Sequence, residues 1–174
     1  MGEENKAEIL LGSLRLIDHV YKNFIKQLDD VIINAPTNLN LGLPNVKDFF
    51  EGGLGPLSGI HAGLAWAKEH KPSVKGIITV PVDCPFFPND LVAKLSGNNQ
   101  ILLAKDTSGL HPVFGYWPLN VLEDLEAFIK TENRKSVQSF AGKRGFLEVN
   151  FGKNGSFFNI NSKADLKTAK DMLG

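Results

Sequence analysis

Apolar residues first recur at helical spacing over residues 15–27, where Leu16, Ile17, Val20, Phe24 and Ile25 line one stripe. The period then changes. Residues 30–35 (DVIINA) form a short β-branched run, which predicts a buried strand. Residues 36–57 are rich in Pro and Gly and read as loop, with a short extended piece at 43–47. A helix is expected over 58–70, and a second buried strand over 75–82, closed by Asp83. Pro88 lies near the start of another helix at about 88–96, with Phe87 or Asn89 as its boundary.

Strands are expected again at 100–105 and 112–117, then a helix over 118–131 that opens on Pro118. A short helix follows from Arg134 to Gly142, then strand-like pieces at 146–149 and 156–160. Residues 163–173 form the last helix, with Ser162 as N-cap. Strands alternate with helices, and the early strands are apolar throughout. That pattern predicts a mainly parallel sheet covered on both faces.

At 174 residues, without internal repeat or linker, the chain is expected to form one domain, 1–174. Its 19 basic and 19 acidic side chains balance, which counts against nucleic acid as a partner. Cys84 is the sole cysteine, so no internal disulfide forms, and no Cys/His cluster has zinc spacing. The opening residues are polar, and no apolar run approaches the ~20 residues that span a bilayer. These features predict a cytoplasmic protein that does not enter membranes.

In such a sheet, ligands bind outside the carboxyl ends of the strands. Two strand ends stand out: Asn34-Ala35-Pro36 and Pro81-Val82-Asp83-Cys84-Pro85. Asp83, held between two prolines, either caps a turn or offers a hard oxygen ligand to Mg²⁺. Asp48 is a solvated loop acid, a second oxygen ligand, or an acceptor for a ribose hydroxyl. Residues 51–59 (EGGLGPLSG) make a glycine-rich turn running into a helix. Such a turn brings backbone N–H groups close to a ligand, or merely eases packing; no Walker lysine follows it. Lys6 is either a solvated terminal lysine or a phosphate clamp. His111 is structural or catalytic, and the Arg134-Lys135 and Lys143-Arg144 pairs are a solvated face or receive an anionic substrate. Asn159 and Asn161 share a side of their strand, where they bind a ligand or lock the following turn.

Read together, these stretches resemble the molybdenum cofactor guanylyltransferases. The matching residues, in family order, begin with Met1-Gly2, Asn5-Lys6, Leu16 to Val20 and Val31 to Ala35. Gly55 to Ile60, Val80 to Phe86, His111-Pro112-Val113, Phe158 to Ser162 and Asp165-Leu166 follow. The resemblance implies a three-layer, Rossmann-like α/β nucleotidyltransferase domain of GT-A type. It implies transfer of GMP from GTP to the terminal phosphate of molybdopterin, with release of pyrophosphate and use of Mg²⁺. Lys6 would clamp phosphates, and Asp83 would hold the metal. Asn34, Asp48, Gly55, Pro56, Leu57 and Gly59 would border the nucleotide. His111, Arg134, Lys135, Asn159 and Asn161 would face the acceptor. Other cofactor-biosynthesis proteins and target molybdoenzymes are implied as partners.

The chain also departs from that family's pattern. It starts at the family's Met-Gly, so the first strand and the double glycine of the phosphate loop are missing. Met1 is therefore expected to be an internal methionine of a longer natural protein. Asn5 replaces an Asp, Pro36 an Asn, and Ser13-Leu14-Arg15 a Gly-Lys-Pro. Loss of a central strand opens two ladder edges and predicts weak GTP binding by the chain as given. Alternative readings are a cytidylyltransferase for the same cofactor, a sugar-phosphate nucleotidyltransferase, or an inactive truncated binding homologue.

Overall fold

The structure is a computed structural model, and it describes residues 6–50, 54–97, 99–132, 135–152 and 157–173. After a 3-10 turn at Lys6–Glu8 come β1 (Leu10–Leu11), β2 (Leu14–Arg15) and α1 (Leu16–Phe24). Next are β3 (Ile33–Asn34), β4 (Asn45–Val46), α2 (Pro56–His70), β5 (Gly76–Thr79) and α3 (Leu91–Leu95). β6 (Ile101–Asp106), β7 (Gly109–Pro118) and α4 (Leu122–Thr131) follow, then α5 (Val137–Arg144), β8 (Phe146–Asn150) and α6 (Lys163–Leu173).

The main sheet has the order β5-β7-β6-β8. β7 is antiparallel to both neighbours, whereas β6 and β8 are parallel. The sheet is therefore mixed. Three of its four strands still run one way, with β7 inserted against them. The cause is the turn Thr107-Ser108, which folds β7 straight back on β6 in a hairpin. The apolar runs that pointed to a mainly parallel sheet carry no trace of that reversal.

Layering follows from strand alternation. Ile101 and Leu103 of β6 face Leu57, Ile60 and Leu64 of α2, with Trp117, Leu125, Phe128 and Phe140. Leu102 and Ala104 face the other way, onto Val20 and Phe24 of α1 and Leu91 and Leu95 of α3. Helices thus cover both faces, giving three layers. Among the described residues, no helix is long and apolar enough to cross a membrane.

Several elements are shorter than the sequence pattern suggests. β3 keeps two residues of the 30–35 run, in parallel register with β4. Pro44 and Pro36 bracket that pairing, and neither can donate a ladder hydrogen bond. Ile33 N donates to Pro44 O at 2.9 Å, and Ala35 N to Val46 O at 3.1 Å. β5 stops at Thr79, before Pro81. α3 begins after Asp90 rather than after Phe87 or Asn89. Its start is capped from afar: Gln27 Oε1 accepts from Val92 N at 3.1 Å, while Gln27 Nε2 donates to Pro88 O at 3.1 Å. The strand-like piece at 156–160 is reduced to one antiparallel bridge, Phe158 to Phe86, among the described residues. Ser162 does cap α6. Its Oγ accepts from Asp165 N at 3.1 Å, and Asp165 Oδ2 accepts from Ser162 N at 2.8 Å.

β3 and β5 each have a hydrogen-bonded neighbour on one side among the described residues. α2 packs across both. It touches them through glycines: a Cβ on Gly59 would lie 2.6 Å from Asn34 Oδ1, and one on Gly63 would lie 2.9 Å from Ile77 Cδ1.

Candidate active site

The strand ends converge on a small apolar platform. Ala7, Ile17 and Leu39 are its buried members, and Ile33, Ala35, Leu41 and Val82 pack against them. Ala7 follows Lys6, Ile33 and Ala35 flank Asn34, and Val82 precedes Asp83. One cluster therefore anchors the backbones that carry Lys6, Asn34 and Asp83.

Lys6 Nζ lies 2.8 Å from Asp83 Oδ2 and donates to Asn161 Oδ1 at 2.5 Å. The Asp83 side chain is 16% exposed and that of Lys6 37%. The carboxylate is thus neither sealed in protein nor free in solvent. Asp83 O also accepts from Ile160 N at 2.8 Å, which ties the 157–161 segment to the end of the β5 run. Asn161 therefore does more than lock the turn before α6, since its side chain joins the lysine and the acid. Next to them, Cys84 is buried. Burial first, and the neighbouring Asp83 charge second, push its thiol far above the ordinary value. It stays protonated and is no nucleophile.

A second group forms where β3 meets α2. Asn34 Nδ2 donates to Asp48 Oδ1 at 2.9 Å and to Val46 O at 3.2 Å. Both side chains are exposed. Gly55 precedes α2 with φ 58° and Pro56 stands at the first helical position. Leu57 is fully buried and holds this turn in the core, while Gly59 leaves room for Asn34. Glu51, Gly52 and Gly53 of the glycine-rich turn lie outside the described residues.

The residues expected to face the acceptor divide. Asn161 belongs to the Lys6 group. Asn159 is exposed two residues before it. His111 sits near the hairpin tip, with Nε2 2.9 Å from Asp106 Oδ1 and its ring 4.5 Å from that of Phe157. Lys135 is exposed before α5, and among the described residues no hydrogen bond or ion pair joins it to Lys6, Asp83 or Asn161. Arg134 lies outside the described residues. Lys143 and Arg144 pair instead with Glu132 at 2.6 Å and Asp124 at 2.7 Å, as solvated surface charges.

Sequence reasoning missed Arg15, which places α1. Arg15 pairs with Asp18 at 2.8 Å and donates to Leu39 O at 3.0 Å, so α1 is bolted to the platform. The signal was available: an acid three residues after a boundary residue is the spacing of a capping box. Asp106 was also missed, because nothing in its local pattern separates it from a turn residue.

A lysine held by a carboxylate and a carboxamide, and an Asn–Asp pair on the neighbouring strand end, stand beside a glycine turn that opens onto a helix, the arrangement of an α/β nucleotidyltransferase. Comparison with known proteins agrees. The chain belongs to the MobA-like NTP transferase domain family, whose model matches residues 1–145. A molybdenum cofactor guanylyltransferase of Rhizobium johnstonii is 38% identical over 184 residues, covering 99% of this chain and 87% of that protein. Among solved structures, molybdopterin-guanine dinucleotide biosynthesis protein A from Archaeoglobus fulgidus superposes with TM-score 0.74 at 18% identity, over 97% of this chain and 90% of that one. A manganese complex of a Mycobacterium tuberculosis protein gives TM-score 0.66 at 13% identity, over 95% and 91% of the two chains. The fold is that of these nucleotidyltransferases, and the chain is an enzyme of the transferase class.

Proposed function

We propose that this chain transfers GMP from GTP to the terminal phosphate of molybdopterin and releases pyrophosphate. The observation that carries the reading is Lys6, whose ammonium lies between the Asp83 carboxylate and the Asn161 amide oxygen. Two hard oxygens there already converge on one positive charge. Such a donor set also suits a divalent metal held by one carboxylate and substrate phosphates, as Mg²⁺ commonly is. Asp83 would hold it, with Asn161 in reach. When bound, the ion would neutralise phosphate charge.

The acceptor's phosphate oxygen attacks the α-phosphorus of GTP. A new P–O bond forms, the bond to the bridging oxygen breaks, and the electron pair leaves with pyrophosphate. No covalent enzyme intermediate is needed, so the protein positions and neutralises. Lys6 is drawn from Asp83 towards the phosphates and offsets charge on the leaving group. Asn34 and Asp48 bond the nucleoside, and Gly55 to Gly59 border it. His111, Asn159 and Asn161 face the acceptor.

The test is turnover with GTP, MgCl₂ and molybdopterin, following pyrophosphate release, alongside the same assay with CTP. Pyrophosphate released with GTP in preference to CTP supports guanylyl transfer. CTP preference reassigns the base, and no release with either nucleotide rejects the proposal.

A further inference from the structure

The tip of the β6–β7 hairpin holds a buried charge that the transfer chemistry does not use. Asp106 is 5% exposed. Its Oδ1 accepts from Ser108 N at 2.8 Å and from Ser108 Oγ at 2.6 Å. The same oxygen stands 2.9 Å from His111 Nε2. Oδ2 is buried with no hydrogen-bond partner among the described residues. Burying a carboxylate costs free energy unless its partners repay it. A two-residue turn gives no reason to bear that cost, because a neutral Asn oxygen would satisfy both Ser108 donors. What needs the charge is the imidazole, through a charge-assisted bond. Burial pushes the Asp106 carboxyl up, but the hydrogen bonds from Ser108 and His111 outweigh it and hold the group below the ordinary carboxylate value.

The carboxylate also settles which way the ring is used. A carboxylate can only accept, so the bond it shares with the ring is one that Nε2 donates. The ring's face lies on Phe157, tilted 34°. Phe157 is 5% exposed and meets Phe114 at 4.6 Å and Phe151 at 5.4 Å. Four residues further on, Asn161 reaches Lys6. Between them, Phe158 bridges Phe86 and Ile160 N bonds Asp83 O. The 157–161 segment is thus pinned at one end by Asp106 and His111, and at the other by Lys6 and Asp83.

We infer that Asp106 is a positioning residue for the acceptor. Acting through His111, it presets the segment so that Asn159 and Asn161 meet the incoming phosphate without reordering. This rests on the reading of the 157–161 side as the acceptor side. It predicts an effect on the acceptor that GTP does not share.

The experiment compares the wild-type chain with Asp106→Asn, His111→Gln and the double variant. His111→Gln keeps an N–H for Asp106, whereas His111→Ala removes it. Molybdopterin affinity is read directly by pterin fluorescence without GTP, and KM values for acceptor and GTP are read separately. Asp106→Asn should weaken acceptor binding about tenfold, the scale of weakening one charge-assisted hydrogen bond, and leave GTP within about twofold. The double variant should be no worse than Asp106→Asn alone, and His111→Gln should retain more acceptor affinity than His111→Ala. Long-range ¹H–¹⁵N spectra should show the Nε2–H ring in the wild type and lose that preference in Asp106→Asn. Equal losses for acceptor and GTP, or additive effects of the two substitutions, would overturn the inference. So would a wild-type chain that does not bind molybdopterin. If the acceptor binds and no GMP is transferred, the transferase reading fails while the Asp106 inference is still decided by the affinities. Should Asp106→Asn not fold, the His111→Gln and His111→Ala pair decides by the same acceptor readout.

Discussion

Gly59 and Asn34 touch so closely that a single added carbon would collide: a Cβ on Gly59 would lie 2.6 Å from Asn34 Oδ1. The glycine sits inside α2, where Ala would favour the helix by about 1 kcal/mol. The obstacle is the end of an exposed side chain, which can swing away. It would then lose its 2.9 Å bond to Asp48, worth about 1 kcal/mol. The two effects nearly cancel in stability. Gly59→Ala should therefore keep its unfolding free energy within about 1 kcal/mol of wild type. It should also raise KM for GTP several-fold. A denaturant curve and a GTP titration check the two halves. A large stability loss with unchanged GTP binding would remove Asn34 from the nucleotide site.

Lys6 and Asp83 give the sharper test of chemistry. Lys6→Met keeps the chain length and removes the charge. It should lower kcat/KM about 10²- to 10³-fold, the scale of losing one preorganised donor in phosphoryl transfer. Asp83→Asn should lose as much, and raising MgCl₂ should recover part of it. Both side chains are partly open to solvent, so melting temperatures should move by only a few degrees. Full activity in either variant contradicts the proposed roles.

Much of this layout was legible from pattern alone, for a physical reason. α6 was readable because an amphipathic period and its Ser162 cap act locally, and α2 because a long run of helix-forming residues does. β6 and β7 were readable because apolar runs bounded by polar turns have few alternatives. What pattern could not show depends on partners far along the chain. Gln27 caps α3 from about 65 residues away. β7 reverses at Thr107-Ser108 without an Asn-Gly or Asp-Gly pair. The pairing of Lys6 with Asp83 spans 77 residues. Each side chain was a candidate by itself, but only the fold brings them together. Lys135 shows the converse: a candidate in sequence that, among the described residues, no hydrogen bond or ion pair joins to the lysine and its acid.

Trp117 offers a test of the core beneath the site. It is fully buried, and its Nε1 donates to Thr79 Oγ1 at 2.9 Å. That hydroxyl in turn donates to Val113 O at 2.6 Å. Thr79→Val fills the same space but strands the indole N–H in an apolar core. The expected cost is about 1–3 kcal/mol, the penalty for an unsatisfied buried donor. Thr79→Ser, which keeps the hydroxyl, should lose distinctly less. Chemical denaturation of the two variants separates the hydrogen bond from packing.

The start of α1 carries a pH-dependent contribution whose sign is fixed. Arg15 holds Asp18 through a side-chain pair at 2.8 Å, and the Arg15 N–H donates to Asp18 Oδ2 at 3.0 Å. The side-chain hydrogen bond from Arg15 lowers the Asp18 pKa below its ordinary 3.8; burial opposes that, and the Arg15 backbone bond adds to it. A depressed carboxylate binds its proton more weakly in the folded chain than in the unfolded one. Its contribution is complete above the unfolded value and disappears as pH falls through the folded one. Asp18→Asn should therefore destabilise the protein at neutral pH by about 1–2 kcal/mol, as loss of a helix cap does. The gap between Asp18→Asn and wild type should narrow as pH drops below about 4, where the wild-type acid itself takes up a proton. Urea curves at pH 7, 5 and 3 would show it, with the unfolding free energies converging towards acid. A gap that stays constant with pH would mean that Asp18 acts by shape and hydrogen bonding alone, without its charge.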